Sequence, residues 1–335
     1  MNTRHKWLAA MTVMLAALLF VLYEFVTAAA QNVKLVREME NGAGHPSDKR
    51  VILISQEQNT PYWQMLEQGV AEAADELGIG VEYWAPYRTN PEEQINLLAK
   101  AIAAKPDAVL IQGIKGDPYD RLIDQAEEAG IAVVTVDSDA PESKRLAYVG
   151  TDNLAAGRLL GELVAGGEET HGSIGVIISS PEADNQQLRL KGFRSVVESA
   201  DGYTIAAIGQ SKLSRIEAAR QTVEMLTAHP EISTMVGLSG LDAPGIAEGV
   251  KVAGRTDVRV FGFDDLEATR EAIAAGSVAA TVVQQPKMIG QEAIRLLNRY
   301  FAGESVSDIS YTPFTVLNGS NLNGTEDGSG QGEAP

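Results

Sequence analysis

Asp137 and Asp264 each close an apolar run, V-V-T-V-D (133–137) and V-R-V-F-G-F-D (258–264). Arg189 lies between them in a helical stretch. Carboxylates accept hydrogen bonds from hydroxyls, and a guanidinium donates them in a planar fork. Tyr62 and Trp63 follow the first apolar run of the body, and an aromatic face packs well against a C–H surface. Gln112, Ser138, Ser239 and Gln284 stand at the ends of other runs and add amides and hydroxyls. Such a set suits a small polyhydroxylated ligand such as a monosaccharide. Paired carboxylates could also serve a glycosidase, but no base or nucleophile motif accompanies them here.

Other chemistries lack their residues. There is no cysteine, which excludes disulfides, thiolate metal sites, a cysteine nucleophile and a lipid-modified N-terminal cysteine. His5, His45, His171 and His229 are scattered without metal-ligand spacing. Gly78–Gly80 lacks the third glycine of a dinucleotide fingerprint, and no G-x-x-x-x-G-K-S/T loop occurs. G-L-S-G (237–240) has Leu241 where a nucleophile elbow needs glycine. No cofactor or metal is expected. The formal net charge of −18 repels phosphate backbones and argues against a nucleic-acid partner.

The elements that must position these residues alternate. Apolar runs at 51–55, 81–84, 107–112 and 131–137 are separated by amphipathic stretches at 61–78, 91–104 and 118–129. A second series follows A-Y-V-G-T-D-N (147–153), with runs at 173–179, 203–209, 233–239, 258–264 and 278–284, then a helix at 286–302 and a last strand near 311–317. Continuous apolar runs between amphipathic helices predict parallel sheets built from βαβ units. One such unit needs about 100–130 residues, so two stacked units fit this length. In open α/β sheets, ligands bind beyond the carboxyl ends of the strands, where the residues named above stand.

The N-terminus predicts location. Residues 1–6 are basic, and residues 7–23 carry no charge. That is an export signature, with Ala28 and Ala30 offering a cleavage site for a signal peptide over 1–30. The same run reaches the lower limit for a membrane anchor. Either way the body is expected outside the cytoplasm, tethered by this segment or exported to the periplasm. Residues 31–49 read as a linker, and 322–335, in a Gly-rich polar tail, are expected to be disordered.

Seven markers stand in order: N-T-P-Y-W (59–63), V-V-T-V-D (133–137), G-T-D-N (150–153), R-L-K-G-F (189–193), L-T-A-H-P (226–230), G-F-D-D (262–265) and A-A-T-V-V-Q-Q-P (279–286). From about residue 51 to 317 the chain resembles the type I periplasmic sugar-binding proteins, most closely the ribose-binding branch of the ABC-transporter substrate-binding proteins. The resemblance implies two Rossmann-like, doubly wound parallel-sheet lobes joined by a three-stranded hinge. The N-terminal lobe would be 50–152 plus 285–313, and the C-terminal lobe 153–284 plus 314–321. Crossings would fall near Asp152, Gln284 and Pro313, and helix 286–302 would return to the first lobe.

The resemblance also implies roles. Tyr62 and Trp63 match aromatics that sandwich a sugar ring, and Gln112 a polar contact from the first lobe. Asp137 and Arg189 match a hydroxyl-binding carboxylate and guanidinium on opposite lobes, and Asp264 and Gln284 a carboxylate and amide of the second lobe. Ser138, Leu213, Thr60 and Ser239-Gly240 depart from the family pattern, removing at least one charge and one ring, which puts ribose itself in doubt. The implied function is non-enzymatic: hinge closure on a monosaccharide or polyol for delivery to an ABC permease. The alternative is a membrane-tethered sugar sensor whose closed form signals to a histidine kinase. A DNA-binding repressor with the same body would need a helix-turn-helix where the apolar segment stands.

Overall fold

The computed structural model describes residues 49–322, apart from 59, 168–170 and 182. The signal or anchor segment and nearly all of the linker and tail lie outside the described residues. No helix among the described residues is long and apolar enough to cross a membrane.

Two six-stranded sheets organise the chain. The first contains β1 (Arg50–Ile54), β2 (Gly80–Trp84), β3 (Ala108–Gln112), β4 (Ala132–Val136), β5 (Ala147–Thr151) and β11 (Ile309–Thr312), in the order β11-β5-β4-β3-β1-β2. All its pairings are parallel. The second contains β6 (Gly172–Ile178), β7 (Tyr203–Gln210), β8 (Ile232–Gly237), β9 (Arg259–Phe263), β10 (Ala280–Val283) and β12 (Thr315–Asn318), in the order β12-β10-β9-β8-β6-β7. Only β12 runs antiparallel there. The two sheets repeat one topology: β1 to β5 and β6 to β10 occupy corresponding places.

Every residue of β3, β4 and β5 is buried, because helices cover both faces. Helices α1 (Pro61–Leu77) and α9 (Pro286–Phe301) pack on one face of the first sheet, α2 (Pro91–Ala104) and α3 (Asp117–Glu128) on the other. On the second sheet α4 (Asn153–Ala165) and α5 (Asp184–Val197) take one face. The helices α6 (Arg215–Ala228), α7 (Asp242–Val252) and α8 (Glu267–Ala274) take the other. Local signals explain the helix ends. Pro91 opens α2 behind Asn90, whose side chain accepts from Glu93 N at 3.2 Å. Gly78 stops α1 with φ +66°.

The chain passes between the sheets three times: after β5, after β10, and between β11 and β12. The single strand expected near 311–317 is two strands, broken at Pro313-Phe314. Pro313 has no N–H for a ladder, and here the chain leaves one sheet for the other. The helices that follow the first two crossings pack unusually close to the helices that begin at the cleft. A Cβ on Gly157 of α4 would lie 2.1 Å from the carbonyl oxygen of Arg189, and one on Gly192 of α5 would lie 2.1 Å from that of Leu154. The first lobe repeats the device with Gly69 of α1 and Gly290 of α9.

That proximity leaves no room for a methyl group facing another backbone. Gly157→Ala is expected to destabilise the protein by about 1–3 kcal/mol, as overpacking does, read as a fall in the urea midpoint. An unchanged midpoint would show that the α4–α5 contact is looser than described.

Candidate functional site

A cavity of about 630 Å³ lies between the carboxyl edges of the two sheets, a size in the ordinary range for small-molecule sites. All nine residues singled out from the sequence line it: Tyr62, Trp63, Gln112, Asp137, Ser138, Arg189, Ser239, Asp264 and Gln284.

Asp137 and Asp264 occupy equivalent places, directly after β4 and β9. Each continues its strand by one ladder bond, Asp137 N to Val149 O at 3.3 Å and Asp264 N to Val282 O at 2.8 Å. Each then turns into the left-handed region, with φ +64° and +61°. Aspartate tolerates that region better than most residues, and the turn places each carboxylate on the cleft wall. Neither acts as a helix N-cap.

The first lobe braces its carboxylate. Tyr62 OH donates to Asp137 Oδ1 at 2.7 Å, and Gln112 Nε2 to Oδ2 at 2.6 Å. Burial, then the Asp137 charge, raises the Tyr62 phenol well above its ordinary pKa, so Tyr62 stays a neutral donor. From the second lobe Asn185 Nδ2 reaches the same Oδ2 at 3.5 Å. Gln112 is itself fixed: its carbonyl accepts from Gln94 Nε2 at 3.1 Å and from the Tyr119 hydroxyl.

Arg189 is 2% exposed, so it is not on a solvated helix face. Its Nε donates to Asn153 Oδ1 at 2.8 Å, Nη1 to Leu238 O at 2.9 Å, and Nη2 to Gln284 Oε1 at 2.8 Å. The guanidinium carbon sits 4.1 Å from the centre of the Phe263 ring, a cation–π contact. Of its five N–H groups, these bonds use three and leave two. Gln284 then passes the arrangement on, donating from Nε2 to Asp264 Oδ1 at 2.9 Å. The Asp264 carboxyl has a raised pKa, chiefly through burial and opposed first by Arg189.

Three hydroxyls on the cleft wall, those of Thr60, Ser138 and Ser239, have no hydrogen-bond partner of good geometry among the described residues. Thr60 occupies the N-cap of α1, yet its side chain makes no capping bond, and its Oγ1 is buried. Ser138 is 3% exposed with an unpartnered Oγ. Buried polar atoms are normally satisfied, so both point to a polar occupant of the cleft. The third belongs to Ser239, whose hydroxyl lies beside Asp242 without a bond of good geometry, while its N–H donates to Asp242 Oδ2 at 2.9 Å.

Tyr62 and Trp63, expected to hold a sugar ring between them, meet edge to face. The two rings are 5.8 Å apart at 79°, a corner rather than two parallel walls, because neighbouring residues of one helical turn point in different directions. Trp63 is 3% exposed and joins the core of the first lobe. Leu213, at φ +55°, and Leu266 supply apolar surface from the second lobe. Sequence reasoning passed over Gln94, Lys115 and Asp242. A glutamine on the buried face of α2 was the available signal for Gln94. Lys115 sits in a loop, and Asp242 looks like an ordinary helix-start aspartate.

The periplasmic binding protein domain profile matches residues 51–305. The chain belongs to the periplasmic binding proteins. Among them, the resemblance to type I sugar-binding members of the ribose-binding branch holds. The ribose import binding protein RbsB of Escherichia coli is 24% identical over 256 residues, covering 76% of this chain and 86% of that protein. Among solved structures, GanP, a glucose-galactose binding protein from Geobacillus stearothermophilus, is 36% identical with a TM-score of 0.80, over 82% of this chain and 99% of that one. A complex of XylFII with LytSN contains a chain 31% identical with a TM-score of 0.76, over 82% and 99%.

Asp242 supports that cleft from below. It is fully buried, and burial pushes its pKa up to about 6, against the Ser211 and Ser239 hydroxyls that lower it. An unfolded aspartate titrates near 4. Between about pH 4 and 6 the folded state therefore holds a proton that the unfolded state has lost, and stability falls as pH rises through that window. The cost of ionised Asp242 is on the order of 3 kcal/mol, about two pKa units at about 1.4 kcal/mol each. Asp242→Asn removes it, so the Tm of the variant relative to the wild type should rise by roughly 4 °C between pH 4 and pH 7. A difference that stays flat with pH would refute the buried-carboxylate account.

Proposed function

We propose that this protein binds a monosaccharide or similar polyol between its lobes, outside the cytoplasm, as the recognition component of an ABC sugar importer. The carrying observation is the Asp137 carboxylate, which is contacted from both lobes and neighbours the unpartnered Ser138 hydroxyl. Carboxylates, amides, free hydroxyls and a guanidinium with two spare N–H groups answer the donors and acceptors of vicinal hydroxyls. The corner of Tyr62 and Trp63, with Leu213 and Leu266 opposite, offers apolar surface to the C–H side of a sugar ring. The named relatives that bind ribose, glucose or galactose support the same class. In this reading all nine wall residues are ligand-facing, with Ser239 the least direct because its N–H serves Asp242 and its hydroxyl lies beside that carboxylate.

The glycosidase reading is weaker. Asp137 is held as an acceptor by three donors, and the family is one of binding proteins. A second reading of the biological role keeps the same ligand but makes the protein a membrane-tethered sensor that reports to a histidine kinase. The likeness to XylFII in its complex with LytSN favours it, as do the uncharged residues 7–23 and the absence of a lipid-anchor cysteine. N-terminal sequencing of the processed protein separates the two: a mature terminus at Gln31 counts against tethering.

The ligand reading is tested by a thermal-shift panel of ribose, arabinose, xylose, glucose, galactose and common polyols on the full-length protein. A true ligand raises Tm by mass action. Asp137→Asn and Asp264→Asn should each weaken the responding sugar at least tenfold, the scale of one hydrogen bond to a charged group. Silence across the whole panel would overturn the carbohydrate assignment.

A further inference from the structure

The cleft-facing groups of the second lobe are held by a residue that does not line the cleft. Thr151 ends β5 in the first sheet, is 1% exposed, and is absent from the cavity wall. Its hydroxyl donates to Gln284 Oε1 at 3.0 Å. Gln284 directly follows β10 of the second sheet, so this bond joins the lobes beside two of the three crossings. The same Gln284 oxygen accepts from Arg189, and the same amide donates to Asp264. The amide therefore has one consistent orientation: oxygen toward Thr151 and Arg189, nitrogen toward Asp264.

The backbone carbonyl of Thr151 completes the pattern. It accepts from Asn153 Nδ2 at 3.2 Å, and Asn153 Oδ1 takes Nε of Arg189. It also accepts from Tyr148 OH at 3.1 Å, a hydroxyl that lies 3.0 Å from the Asp137 carbonyl. One residue at the first crossing thus connects to Asp137 through Tyr148, to Arg189 through Asn153 or Gln284, and to Asp264 through Gln284, a single intermediary each.

We propose that Thr151 is a positioning residue that sets lobe closure, its hydroxyl joining the hinge to the amide that organises the second-lobe wall. The inference rests on the cleft being the ligand site. Hinge motion concentrates φ/ψ change in a few residues at the crossings. Rotation there separates the end of β5 from the residue after β10 and breaks the Thr151–Gln284 bond. A bond present in one arrangement and absent in the other biases the equilibrium between them. Both ends are buried, so its loss is not made good by solvent.

The test uses the full-length chain with Thr151→Val and Thr151→Ser, and with Thr151→Ala should the valine variant fold poorly. The absence of native cysteine allows one spin label on each lobe, at Glu76→Cys and Glu224→Cys, both exposed positions. Without ligand, the valine and alanine variants should shift the interlobe distances to longer values, and the serine variant should match the wild type. With whichever of D-ribose, D-xylose and D-galactose binds, the dissociation rate of Thr151→Val should rise about three- to tenfold, the scale of one neutral hydrogen bond, with association unchanged. Wild-type distances in Thr151→Val would overturn the proposal, as would a serine variant that behaves like valine. Should none of the three sugars bind, the distance measurement alone decides the role of Thr151, and the ligand reading is decided separately by the full thermal-shift panel.

Discussion

A guanidinium buried to 2% exposure must find its partners inside the protein, and the way Arg189 does so organises the second lobe. Its three bonds reach α4 through Asn153, the end of β8 through Leu238, and the residue after β10 through Gln284. These are three separate elements of the second lobe. The Phe263 ring closes one face of the group. The charge is thus compensated by dipoles and a π-face rather than by a direct ion pair. Asp264 stays near enough to feel Arg189 yet is bonded to Gln284 instead. That leaves a carboxylate oxygen of Asp264 and two guanidinium N–H groups without a hydrogen bond among the described residues.

The two lobes solve the same problem differently. Both turn an aspartate out of a central strand with a positive φ, and both use glycine to bring a crossing helix against a cleft helix. Topology therefore dictates where the carboxylates stand. Their bracing is not duplicated. The first lobe uses a phenol and an amide from its own walls, Tyr62 and Gln112. The second uses Gln284, which lies at a crossing and is tied to the other lobe through Thr151. Hinge geometry thus bears on the second-lobe wall more directly than on the first.

Much of this arrangement is legible in the sequence, for a physical reason. Parallel sheets deliver their carboxyl ends to one edge, so a census of residues after apolar runs collects Gln112, Asp137, Ser138, Asp264 and Gln284 without coordinates. Arg189 enters the same census as a cation that could converge on the two aspartates, but Lys191 and Arg194 are close by, no local pattern says which cation turns inward, and the resemblance strengthens the choice. The Thr151–Gln284 bond joins residues 133 positions apart, and no periodicity reports such a pairing. Pro313 signals a break, but not that the strand on its far side belongs to another sheet. Asp242 is hidden by its ordinary place at a helix start, since only packing reveals that its carboxyl is sealed from water.

The departures at Thr60 and Ser138 bear on the charge of the occupant. After the strand-end Asp137, Ser138 presents an uncharged hydroxyl with no protein partner among the described residues. The cleft wall holds carboxylates on both lobes, with Arg189 already committed to three internal bonds and Lys115 and Lys212 also on the wall. An anionic ligand would meet Asp137 from one side and Asp264 from the other, in a setting where screening is weak. A neutral polyol meets no such penalty. It can donate to both carboxylates, accept from the two spare guanidinium N–H groups, and engage the hydroxyls of Thr60 and Ser138 in either sense. The same substitutions that separate this cleft from the family pattern therefore narrow its occupant toward uncharged, hydroxyl-rich molecules.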